Sequence, residues 1–184
     1  PDAPSLGYPD ATDDMTGGMG LEGLASLRDF VARGGTFIAL RSAATLPVEL
    51  GLLRDVEVED TPSGLFVPGS LVKGAVARPA HPLAYGFGEA PTLHHRFGPY
   101  LGVDDEIEED VVVVRYAEDE IALSGLVQNA DRMAGDPAIL SVPDGEGHWI
   151  LFGFNPLNRH QNFMNFGFVW NAILNWNDLD TTND

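Results

Sequence analysis

Between Leu21 and Arg33 the apolar residues Leu24, Leu27, Phe30 and Val31 recur at spacings of three and four, with Glu22, Arg28, Asp29 and Arg33 among them. That period predicts an amphipathic helix. Gly34-Gly35 follow, residues that tolerate the left-handed backbone at which helices end. Thr36-Phe37-Ile38-Ala39-Leu40 shows no alternation and predicts a short strand buried on both faces, as in parallel sheets. Helix, Gly-Gly and buried strand form half of a doubly wound unit. Between residues 54 and 80, Val56, Val58, Leu65, Val67, Leu71, Val72 and Val76 alternate with Pro and Gly, which predicts short strands of a β-rich insertion or edge. His81 to Gly86 reads as a turn. Val111 to Tyr116 and Ile121 to Gly125, separated by an acidic turn, predict a hairpin. Ala138 to Val142 and His148 to Phe154, joined by Pro143-Asp144-Gly145-Glu146-Gly147, predict another. Residues 162–176 carry Phe163, Phe166, Val169, Trp170, Ile173, Leu174 and Trp176 and predict a strongly apolar last helix.

The ends lack such a period. Residues 1–16, rich in Pro, Gly, Asp and Thr, read as a linker or irregular lead-in, with Asp13, Asp14 and Thr16 as candidate helix caps. Residues 17–177 form the α/β domain, and 178–184 read as a disordered tail. The opening Pro1-Asp2-Ala3-Pro4 suggests the interior of a longer protein, or a processed one. A chain of 184 residues with 44% hydrophobic positions buries the core of one ordinary domain. No apolar run approaches the ~18 residues of a membrane span.

Charge narrows the partners. The chain has 28 acidic and 10 basic residues, a net charge of −18. Nucleic acid and anionic lipid are bound by clustered Lys and Arg, so neither is expected as a partner. The absence of cysteine removes disulfides, thiolate nucleophiles and Cys-based metal sites.

Candidate chemistry is sparse. His81, His94, His95, His148 and His160 show no His-x-x-Glu or His-x-x-x-His spacing, so no local zinc signature exists and no metal ligand is expected in this chain. His94 and His95 are adjacent, which makes their side chains diverge. Six acids within 104–110 lack the glycine and spacing of a calcium loop and read as a solvated segment. Arg41-Ser42, directly after the buried strand, occupy the strand end where open α/β sheets place their ligands. Ser42 lacks the Gly-x-Ser-x-Gly frame of a nucleophile elbow. Arg159-His160-Gln161, between the last strand and the last helix, form a candidate polar or anion-recognition site with Arg159 as donor.

These residues carry a resemblance. Gly17-Gly18-Met19-Gly20-Leu21-Glu22-Gly23, leading into 27–40, resembles the class I glutamine amidotransferase-like superfamily. Phe66 to Leu71, His81 to Gly86, Leu123-Ser124-Gly125 and Leu151 to Pro156 with Arg159 and Gln161 follow in order. Together they resemble the amidotransferase-like domain at the C-terminal end of bacterial exported zinc carboxypeptidases of the carboxypeptidase A type. The helix–Gly-Gly–strand piece is also similar to trehalose-utilisation-type and β-galactosidase trimerisation domains. The resemblance implies a flavodoxin-like open α/β sheet, mostly parallel with an antiparallel β-rich edge and lacking its first strands before Gly17. The superfamily's glutaminases use a Cys at the turn after this strand; here that turn reads Arg41-Ser42. The implied function is a non-catalytic accessory domain of an exported hydrolase. Zinc would belong only to an upstream catalytic domain, and the partner would be another domain or chain of the parent protein, buried against the last helix and the incomplete sheet edge. The alternatives are a small hydrolase with Arg41, Ser42 and Arg159 lining a pocket, and a structural subunit that assembles with copies of itself.

Overall fold

Helix α1 (Gly20–Ala32) leads through Gly34-Gly35 into β1 (Thr36–Leu40), as the pattern predicts, in a computed structural model that describes residues 18–180. A 3-10 turn (Arg41–Thr45) and the short α2 (Leu46–Glu49) follow. Next come β2 (Val56–Glu59), β3 (Ser70–Val76), β4 (Thr92–His95) and β5 (Tyr100–Val103). Then come α3 (Glu108–Val111), β6 (Val112–Tyr116), β7 (Ala122–Ser124), β8 (Pro137–Asp144), β9 (Gly147–Phe152) and α4 (Phe163–Leu174). The lead-in and its candidate caps, and residues 181–184, lie outside the described residues.

The main sheet runs β1-β9-β8-β6-β3-β4, with β7 also on β3, and β2 and β5 form a separate antiparallel pair. The sheet is open and mixed, and it corrects the expectation of a mostly parallel one. Among the described strands only β1 and β9 run parallel; β8–β9, β6–β8, β3–β6, β3–β4 and β3–β7 are antiparallel. The cause is connection length, since parallel neighbours need a crossover of a dozen residues or more. Here β8 and β9 are joined by Gly145-Glu146 alone, with Gly145 at φ 64°. The start of β9 is pressed against the end of α1: a methyl group at Gly147 would collide with the carbonyl oxygens of Val31 and Gly35.

The hairpin expected from Val111–Tyr116 and Ile121–Gly125 does not form. Both segments pair with β3, end to end along one edge: Gly74 faces Tyr116 and Val72 faces Ala122. Between them Ala117 N–H donates to the Lys73 carbonyl and Lys73 N–H to that of Ile121. Residues 118–120 bulge outward, and Lys73 Nζ holds Asp119 and Glu120 at 3.2 and 3.4 Å. The acidic turn is therefore a bulge in one long strand.

The strand buried on both faces is β9, all six of whose residues are buried, whereas in β1 only Ala39 is. The reason is position: β1 ends the sheet, with β9 on one side and no described strand on the other. Trp149 and Leu151 point into one core with Val31 of α1, Leu140, Val142 and Leu101. Ile150 and Phe152 point into the other with Phe168 and Ala172 of α4 and Ile139. Each such side chain contributes roughly 1.5–3 kcal/mol by leaving water. Leu179, within the expected tail, is 3% exposed and joins the second core, and Asp180 reaches His148 Nε2 at 3.2 Å. No helix among the described residues is long and apolar enough to cross a membrane.

Candidate functional site

A polar pocket of about 270 Å³ lies between β4 and the loop that leaves β9, lined by Pro68, Gly69, His94, Arg96, Asn158, Arg159 and Gln161. Two elements build it. On β4, adjacent residues face opposite ways. His95 turns into the core, where its Nδ1 lies 2.7 Å from the Tyr116 hydroxyl and its Nε2 lies 3.1 Å from the Tyr100 hydroxyl and accepts from Gly98 N–H. His94 turns to the pocket, with Nε2 3.4 Å from Asn158 Nδ2.

The strand is fixed to α4 by two asparagines. Asn165, fully buried, accepts from His94 N–H at 3.1 Å and donates to the Thr92 carbonyl at 2.7 Å. Asn162 donates to the same carbonyl and to Asn165 Oδ1, both at 3.0 Å. His94 is therefore held by the backbone of its own strand and is not loose on a surface.

The opposite wall is a strained turn. Asn155 Oδ1 accepts from Leu157 N–H, and Asn158 donates through its amide to Gln161 Oε1 at 3.3 Å. Arg159 and His160 both adopt positive φ, 49° and 55°. Side chains avoid that region at a cost of about 1–3 kcal/mol each, and such strain gathers at ligand sites. The turn sends Arg159 and Gln161 into the pocket and His160 away from it, against Phe166 and Phe163 at ring-centroid distances of 5.2 and 6.1 Å. Of the sequence triplet 159–161, the structure thus brings Arg159 and Gln161 together and leaves His160 packed outside.

Arg96 and Asn158 had no motif to reveal them, and Gly69 lay in the Phe66–Leu71 stretch of the resemblance without an assigned role. Arg96 directs its Nε to the Pro68 carbonyl at 3.1 Å and lies 5.4 Å from the Phe97 ring centre. Gly69, at φ 141°, leaves the floor open, since a Cβ there would touch Arg96 Cδ at 3.7 Å and His94 Nε2 at 4.0 Å.

The turn after β1 shows what Arg41 and Ser42 do. Arg41 stands at φ 52°, and Ser42 is exposed, its carbonyl accepting from Thr45 Oγ1 at 3.2 Å. No imidazole among the described residues bonds to Ser42, and neither residue lines the pocket. Arg41 lies near enough to His95 to oppose its protonation.

Burial lowers the pKa of His94, and the Arg96 charge adds to this. Burial takes His95 down to about 4, with smaller contributions from His94 and Arg41. Both imidazoles are neutral at pH 7. Among the described residues no group of three or more His, Asp or Glu is placed to hold a metal ion. The arrangement can hold an acceptor-rich group between guanidinium, imidazole and amide.

No protein-family description matches the chain, and neither does any curated protein. Solved structures do resemble it. A putative thua-like protein from Bacteroides uniformis shares 13% identity at a TM-score of 0.54, over 88% of this chain and 65% of that one. PurLQS from Thermotoga maritima shares 18% at 0.52, over 84% and 66%. A cytoplasmic protein from Salmonella typhimurium shares 16% at 0.52, over 83% and 59%. These likenesses show the fold alone: an α/β amidotransferase-like fold with a mixed open sheet. The chain spans about three-fifths to two-thirds of the length of those structures.

Proposed function

We propose that this chain is a non-catalytic accessory domain, carried by an exported bacterial hydrolase of the zinc carboxypeptidase kind, that recognises a ligand without transforming it. The observation that supports this is the chemistry of the strand ends. Where the superfamily's glutaminases place their Cys, this chain has Arg41 and an exposed Ser42 with no base on it. The polar pocket is lined by groups that grip: Arg96, Arg159, His94, Asn158 and Gln161. Serine-, threonine- or cysteine-based nucleophilic catalysis needs a hydroxyl or thiol within reach of a base, and none of those lining residues carries either group. Zinc, in this reading, belongs to the catalytic domain upstream.

The partner is the preceding part of the parent polypeptide. The free side of β1 lies beside an apolar groove of about 580 Å³ whose lining includes Phe30, Ile38, Ala172, Ile173 and Trp176. Trp170 and Leu174 on α4 remain 58% and 71% exposed, and Trp176 just after it 56%. An apolar, uncharged edge strand of this kind is a ready acceptor for another strand.

The test has two arms. The purified chain and its Ser42→Ala variant are assayed on ester and peptide substrates; neither should turn over, and turnover abolished by the substitution would overturn the reading. Co-expressed with the upstream part of its polypeptide, the chain should co-purify with it and lose that association on Ile173→Glu.

A further inference from the structure

Of the ten basic residues of this chain, three form ion pairs with acids among the described residues. Lys73 pairs with Asp119 and Glu120, Arg115 with Glu108 at 2.6 Å, and Arg132 with Asp131 at 3.9 Å. Arg96 and Arg159 do not: among the described residues neither guanidinium pairs with a carboxylate, although the chain has 28 acidic residues. Both line the one polar pocket between β4 and the loop before α4, and a third cation, Arg41, stands close behind at His95. The strained φ values of Arg159 and His160 show a backbone held against its preference to present one of them.

We infer that this pocket binds a carboxylate that carries a hydrogen-bond donor beside it, as the carboxyl end of a peptide does, with Arg96 and Arg159 gripping the carboxylate and Asn158 and Gln161 meeting the neighbouring amide. This rests on the recognition role proposed above and names its ligand. Three features select that chemistry. A guanidinium fork matches the two oxygens of a carboxylate. At ~30 Å³ per water-sized unit, about 270 Å³ holds on the order of nine non-hydrogen atoms, more than an inorganic oxyanion fills. Asn158 and Gln161 share the lining with the two arginines, and their side-chain carbonyl oxygens can accept from an amide N–H beside the carboxylate. His94 adds no charge at neutral pH, so the site carries the two guanidinium charges alone.

The experiment titrates the full chain with N-acetylglycine, which has both groups, and with acetate, N-acetylglycinamide and inorganic phosphate, followed by backbone amide NMR shifts and calorimetry. N-acetylglycine should shift the amides of 94–96 and 158–161 and bind at least tenfold more tightly than each of the other three. Arg96→Gln and Arg159→Gln should each weaken it tenfold or more. Because both side chains are exposed, the thermal midpoint should stay unchanged, which separates lost binding from lost folding. Phosphate binding as tightly as N-acetylglycine, binding indifferent to both arginine variants, or no shift at those amides would overturn the assignment. None of those results touches the non-catalytic reading, which stands or falls on Ser42-dependent turnover.

Discussion

Asp136 is the acid that this fold tolerates least. It sits half-buried before β8, and its Oδ2 has no hydrogen-bond partner among the described residues. Burial, and then the charges of Glu59 and Glu118, raise its carboxyl from 3.8 to about 6. A rise of that size corresponds to about 3 kcal/mol, set against the charged form. The sign follows from proton linkage. A group with a raised folded-state pKa contributes stability that is complete below the unfolded value and is lost as pH rises through the folded one. Asp136 therefore removes stability between about pH 4 and pH 7, and Asp136→Asn, which keeps the shape without the charge, does not. Urea denaturation of both proteins at pH 4.5 and pH 8 tests this. The variant should gain about 2–3 kcal/mol relative to the parent on going from the lower pH to the higher. A difference that is the same at both pH values would refute the reasoning, because the charge would then cost the fold nothing. Since burial is the largest cause, most of the gain should persist at high salt, which screens only the contributions of Glu59 and Glu118.

Two further outcomes follow from the core. His95→Leu leaves the hydroxyls of Tyr116 and Tyr100 and the Gly98 N–H without their partner, and should cost about 3 kcal/mol or more in urea denaturation at pH 7. The imidazole titrates at about 4, below its unfolded value of 6.5, so its stabilisation is complete above pH 6.5 and is lost toward pH 4. The stability difference between the parent and His95→Leu should therefore shrink by about 3 kcal/mol over that interval, a comparison that cancels the same-sign contribution of His81, which burial holds down to about 3. Gly147→Ala drives a methyl group into the carbonyls of Val31 and Gly35, and should cost several kcal/mol or prevent soluble expression, read by circular dichroism and yield.

The parts of the fold legible in the sequence were those whose residues answer to their own neighbours. Leu24, Leu27, Phe30 and Val31 repeat at the helical period, with Val31 buried and Leu27 packed beside it in the core under α1, and Gly34 at φ 98° ends the helix. The β8–β9 hairpin was readable because its turn chemistry is local. Strand direction was not, since it depends on which strand lies alongside. Thr36–Leu40 and β9 are both continuous apolar runs, yet one ends the sheet and the other is buried in it. The false hairpin arose in the same way. Residues 112–117 and 121–124 have the composition of two paired strands, and only the seven-residue length of β3 allows them to line up along a single partner instead.

The site was half legible for a related reason. Arg159 and Gln161 stand out because a strand-to-helix loop is where open sheets hold ligands. Their partners come from His94 on β4 and Arg96 just after it, 63 to 67 positions earlier, and from Gly69, earlier still. His94 and Arg96 have no motif because their meaning depends on register: His95 opposite Ser70 and His94 opposite Leu71 decide which imidazole enters the core. A shift of one residue would exchange them, placing His95 at the pocket and His94 among the tyrosines. The buried amide of Asn165, which takes His94 N–H and returns a hydrogen bond to the Thr92 carbonyl, acts against that shift. A structural asparagine on α4 thus determines which histidine the ligand meets, and a binding residue was hidden in the sequence because the residue that orients it lies 71 positions away.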